Sequence, residues 1–183
     1  MRKMKFNQRV RNKRTAKQRL GWLESAKAIA TLEHDYKKAL EKVQHLLRDN
    51  DNDTDALILK GNILDLAQRY SEARRCYEKV LQQDQHNLRA LIDMGDWHSR
   101  KRNSVEALSF YDRALSLLKR KIFYLSRRDE FEEAYTGKII LLREMGLLDR
   151  ARKVVKEAMS HCPGFEPPNL GVQEETTTRK RKR

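Results

Sequence analysis

The sequence predicts an all-α solenoid of about four helix-turn-helix units, with a ten-residue insertion before the last. Three observations carry the prediction. Small and apolar residues recur 34 residues apart: Ala39, Ala73 and Ala107; Val43, Tyr77 and Tyr111; Leu46, Val80 and Ala114. Gly61 recurs as Gly95, and Tyr36 as Tyr70, in the same frame. A fourth copy, Ala151, Val155 and Ala158 with Pro163 beyond, fits once ten residues are inserted. A helical repeat of this period stacks unit on unit, because one unit alone cannot bury its apolar face.

The frame divides the chain into a basic arm over 1–19, units over 20–53, 54–87, 88–121 and 132–165, and a basic tail over 166–183. The second helix of each unit is the clearest element. Ala39, Val43, Leu46 and Leu47 lie along one helical face, as do Ala73, Tyr77, Val80 and Leu81. Ala107, Tyr111, Ala114 and Leu115 follow, then Ala151, Val155, Ala158 and Met159. Spacings of three and four residues make a continuous apolar stripe. The small alanine at its start lets the two helices of a unit approach closely.

The first helices are weaker in pattern. Leu23, Leu57, Leu91 and Tyr135 share one repeat position. Gly61 and Gly95 are costly inside a helix, by about 1 kcal/mol against Ala, so their recurrence implies a packing reason. Ser126 and Asp129 read as an N-terminal cap for the fourth unit, and Asn103 with Glu106 as one for the third unit's second helix. Gly146 marks a turn. The insertion, at about 122–131, carries Phe123 and Tyr124 and reads as lengthened helix or as a partner-binding knob.

These residues resemble the tetratricopeptide repeat (TPR) family over 20–165. That family has a small residue where Gly61 and Gly95 stand, Ala where Ala73, Ala107 and Ala151 stand, an aromatic at Tyr77 and Tyr111, and Pro near Pro163. The first unit departs from it, with Lys27 at the glycine position. The resemblance implies a right-handed superhelix of antiparallel helix pairs whose first helices line a concave groove. It also implies the groove's lining: Glu24 and Thr31, then Asp55, Asn62 and Asp65, then Arg89, Ile92 and Asp96, then Glu133 and Arg143. This lining leans acidic, which favours a basic or mixed peptide by charge complementarity. Some family members grip a terminal carboxylate with basic residues here. Only Asn62 resembles that clamp, and Ile58 stands where a lysine is expected, so such a ligand is disfavoured.

Catalytic and metal chemistry find no foothold. There is no glycine-rich phosphate loop and no H-E-x-x-H. His34, His45, His86, His98 and His161 are scattered. Asp49, Asp51, Asp53 and Asp55 suggest a calcium loop, but its required Gly and Glu positions hold Thr54 and Lys60. These acids read instead as an inter-repeat turn that favours the next helix's N-terminus. Cys76 and Cys162 make no zinc motif, and Cys76 lies on an apolar stripe. No catalytic residue, metal or cofactor is expected.

Charge is unevenly spread. The net charge is +14, and residues 1–19 hold nine basic and no acidic residues. Phosphate binding is one use of such an arm, through Arg9, Arg11, Lys13 and Arg14, joined by Arg100, Lys101 and Arg102 in the third unit. The arm could also dock into the acidic groove. No apolar run approaches the roughly 20 residues that cross a bilayer, and the first residues lack the apolar core of a secretory signal. A cytoplasmic protein is expected. In a nucleated cell the terminal Arg-Lys run also reads as a nuclear address, and the arm as an organellar one. The functional expectation is a non-catalytic adaptor or scaffold holding a peptide or partner helix in its groove. The alternative is a nucleic-acid- or ribosome-associated protein anchored by the arm.

Overall fold

A computed structural model describes residues 16–118 and 127–170. Every element among them is helical. We number the helices α1 to α8. Helix α1 runs from 16 to 28 and closes in a wider π turn, Ile29–Glu33, ended by His34 at φ 55°. Then follow α2 (Tyr36–Asp49), α3 (Thr54–Leu66), α4 (Tyr70–Gln83), α5 (Leu88–Arg100), α6 (Ser104–Leu118), α7 (Arg128–Glu144) and α8 (Leu148–His161). Each helix packs on the next, while α5 also packs on α3 and α7. The first helices of successive units are therefore stacked as one layer, in a helical repeat solenoid. Helix α1 already runs through 16–19, so helical structure reaches into the stretch read as an arm.

The starts of the units follow from capping chemistry. Asp53 accepts the Ala56 N–H at 3.1 Å at the head of α3, and Asn87 accepts the Ala90 N–H at 3.0 Å at the head of α5. These caps stand 34 residues apart and satisfy orphan donors of the first turn. The aspartate cluster read as a turn does that work. Asp51 pairs with Lys79 at 3.2 Å, and Asp53 caps α3 while binding Arg19. The cap expected at Ser126 is not where α7 starts. Its N-cap position is Arg127, without a side-chain cap bond, and Asp129 and Glu130 instead supply negative charge to the first turn. Ser126 itself lies outside the described residues, as do Phe123 and Tyr124. The fourth unit's first helix is lengthened, at 17 residues against 13 for α3 and α5.

The exits of α3, α5 and α7 also repeat. Gln68 and Arg102 adopt φ 60°, and Gly146 φ 73°. Beyond each, a backbone N–H reaches back five residues: Arg69 to Leu64, Asn103 to His98, Leu147 to Leu142. This is the left-handed C-terminal cap that glycine normally supplies.

The recurrent glycines have the packing reason their recurrence implied. A Cβ on Gly95 would stand 2.7 Å from Cε1 of Tyr111, and one on Gly61 would collide with Tyr77. Gly137 of α7 meets the Tyr111 ring as well, its virtual Cβ 2.7 Å from Cζ. Tyr77, Tyr111 and Tyr135 are fully buried. Ala39, Ala73, Ala107 and Ala151 are likewise buried, where their small size allows close helix approach. Cys76 is buried among Leu64, Tyr77 and Met94, as its stripe position predicts.

Candidate partner groove

The layer of first helices leaves a groove of about 680 Å³. Glu24 and Thr31 of α1, Asp55, Asn62 and Asp65 of α3, and Arg89 and Asp96 of α5 all line it. Three residues expected there, Ile92, Glu133 and Arg143, do not, although Glu133 pairs with Arg89 of the groove. Ile92 is fully buried among Leu88, Leu115 and Leu118, because α5 turns that face into the core. Arg143 is taken by the backbone instead: its Nη1 donates to the Asn169 carbonyl at 2.6 Å.

The repeat positions each glycine and tyrosine so that they serve the groove. Tyr77 Oη donates to Asn62 Oδ1 at 2.8 Å, and Tyr111 Oη donates to Asp96 Oδ1 at 2.6 Å. Asn62 and Asp96 directly follow Gly61 and Gly95. The glycine admits the ring, and the ring's hydroxyl then orients the neighbouring polar side chain. Burial pushes both phenols above their ordinary range, so they remain donors.

The acidic lining is largely neutralised from within. Arg89 bridges Asp93 at 2.9 Å and Glu133 at 2.6 Å. Arg100 pairs with Asp65, and Arg19 spans Asp53 at 2.5 Å and Asp55 at 2.6 Å. Burial pushes the carboxyl of Asp93, 4% exposed, up to about 7 against the pull of Arg89. Burial raises Asp96, Glu133 and Asp65 as well. Asp53 moves the other way, because the Arg19 hydrogen bond favours its ionised form. Asp93, Asp96 and Glu133 each bring an oxygen within 4.8 Å of the others, the one such trio among the described residues. Arg89 already supplies positive charge there, so the trio needs no metal to hold it.

Residues 54–87, which contain α3 and α4, match the tetratricopeptide repeat family. The α3–α4 pair reads as one tetratricopeptide repeat. Among solved structures, the chain is similar to YrrB, described as a TPR protein with an unusual peptide-binding site. The two share 20% identity over 78% of this chain and 68% of that one, with a TM-score of 0.56. It is also similar to a mutant of MamA, at 18% identity over 77% of this chain and 76% of that one, with a TM-score of 0.54. At such identity the likeness is one of fold. No curated protein matches the chain.

The groove also holds residues that the repeat pattern did not assign to it. Leu23, Leu59 and Leu66 line the groove's first two units. Arg100, read as a phosphate contact, faces Asp65 across the repeat boundary instead. Lys101 stands 4.6 Å from the Tyr70 ring centre, and Arg102 occupies the α5 exit. Arg9, Arg11, Lys13 and Arg14 lie outside the described residues. No described helix is long and apolar enough to cross a membrane.

Proposed function

We propose that this chain is a non-catalytic adaptor or scaffold that holds a peptide or partner helix against its stacked first helices. Tetratricopeptide repeats are protein-interaction modules, and the reading rests on one observation above the others. The groove combines exposed apolar side chains with fixed, hydrogen-bonded polar groups from three successive units. That combination buries apolar surface while orienting a ligand. The similarity in fold to a TPR protein described by its peptide-binding site agrees with it. The basic arm over 1–19 and the tail over 166–183 flank this module.

A peptide array probed with the full chain tests the proposal. Asp65→Asn and Asn62→Ala, which change the groove floor, are expected to weaken every specific hit. Substituting Lys153, on the solvated side of α8, is expected to change none. Hits indifferent to the groove substitutions would defeat the reading.

A further inference from the structure

The geometry points to a ligand segment that presents an apolar side chain and, beside it, an arginine or lysine, with Arg100 holding the cation's place until that segment arrives. This inference rests on the groove being the partner site. It begins with one repeat position. Leu32, Leu66 and Arg100 occur 34 residues apart, at the ends of the first helices of units one to three. Leu32 is 79% exposed and Leu66 51%. Leu66, which lines the groove, gives a partner apolar area to cover. The third unit replaces the leucine with a cation.

Arg100 binds Asp65, but the two ends of that pair differ in freedom. The Arg100 side chain is 45% exposed and that of Asp65 only 16%. The arginine can swing into water, whereas the carboxylate is fixed. Asp65 Oδ1 is buried without a hydrogen-bond partner, although Oδ2 is taken by Arg100. A buried acceptor left unfilled is costly, so the site gains from a better-placed donor. Asp96, held by Tyr111, stands close enough to add to the negative potential at Asp65. An incoming guanidinium or ammonium can take the Arg100 position while an adjoining apolar side chain covers Leu66. Because the incoming cation replaces Arg100 at Asp65, releasing the exposed arginine leaves no carboxylate unpaired. An anionic segment would meet Asp65 and Asp96 unshielded once Arg100 moved.

The test uses the full chain and capped, dye-labelled peptides of alanine and glycine. Each carries one leucine and one arginine at a scanned spacing. Twin peptides replace arginine with its neutral isostere citrulline, or leucine with serine. Anisotropy is expected to show preference for the arginine peptide over both twins. Arg100→Gln should tighten that peptide by roughly two- to five-fold, by removing an internal competitor. Asp65→Asn should erase the preference over citrulline, and Leu66→Ser the preference over serine. Circular dichroism confirms folding of each variant.

Unchanged or weaker binding in Arg100→Gln overturns the inference. Groove-dependent binding with no preference for arginine also overturns it, while leaving the groove reading intact. Binding that ignores every groove substitution defeats the groove reading itself. If neutralising Arg9, Arg11, Lys13 and Arg14 tightens the peptide as Arg100→Gln does, the occupant is the chain's own arm, and the separate partner is overturned. Mass that rises with concentration and falls when the arginine peptide is added would make the occupant a second copy. A single-stranded RNA that binds and is lost on Arg100→Gln would make Arg100 a phosphate contact.

Discussion

The Tyr111 hydroxyl donates to Asp96 at 2.6 Å while the Tyr111 ring lies where a Cβ of Gly95 would stand. A core residue and a groove residue are thereby one device. The same device recurs a unit earlier, as Tyr77, Asn62 and Gly61. Packing and the placement of the groove's polar side chains are therefore coupled, and substitutions meant for one will register in the other.

Gly95→Ala is expected to destabilise the fold. Alanine is the better helix former by about 1 kcal/mol, but overpacking a rigid ring costs about 1–3 kcal/mol. The clash wins, because Tyr111 is fully buried and Gly137 of α7 also crowds its ring. Gly21 of α1 is the control, with nothing within 4 Å of its virtual Cβ. Gly21→Ala should gain roughly 0.5–1 kcal/mol. Urea unfolding of both variants reads opposite signs. Equal signs would refute the packing account of Gly95.

Tyr111→Phe keeps the ring and removes the hydrogen bond. The expected cost is about 1–3 kcal/mol, because Asp96 keeps its burial and loses a donor. Losing that bond also raises the Asp96 carboxyl further, since the bond now favours the ionised form. Carbon-detected NMR titration of Asp96 in the two proteins checks this shift, and a fall instead of a rise would contradict it.

How much of this was legible in the sequence depends on the kind of residue. Ala73, Tyr77 and Gly61 repeat because helix packing repeats, so spacing alone placed them. Position 92 did not follow: Ile92 was assigned to the groove by repeat number, but an isoleucine at a face boundary rotates into the core. Arg143 failed for a different reason, since its partner Asn169 lies in the segment after the last helix, where no period applies. Arg100 was grouped with Lys101 and Arg102 by charge, although its contact is with Asp65 in the preceding unit. Linear runs of charge do not reveal pairs formed across a repeat. Gly137 lies two residues before the fourth unit's glycine position, which holds Ile139 once the insertion is counted, so the period does not mark it.

At the first unit's boundary, Asp53 has two tasks. It caps α3 through Ala56 and holds Arg19. Asp53→Ala should cost about 1–2 kcal/mol, mainly as a lost cap. Arg19→Ala should cost less, about 1 kcal/mol or below, because the arginine is partly exposed. A double-mutant cycle by thermal unfolding separates the two. A coupling energy of zero would mean that Arg19 adds nothing to the cap.

Stability should respond to pH in two opposite ways. Asp53 has its folded carboxyl held below the ordinary 3.8. Its contribution is full above 3.8 and is lost as pH falls through the lower folded value. Asp93 is pushed up from 3.8 to about 7 by burial. Between those values the folded chain holds a proton that the unfolded chain lacks, so stability rises as pH falls from 7 toward 4. Above 7 the buried charge is carried in full. Arg89 on α5 opposes the shift, whereas Asp96 on α5 and Glu133 on α7 reinforce it. Asp93→Asn should therefore flatten the stability profile between about pH 4 and 7, while Asp96 and Glu133 leave some slope. Urea midpoints at several pH values measure it. A wild-type profile that rises with pH across this range would show that the Arg89 pairing outweighs burial at Asp93.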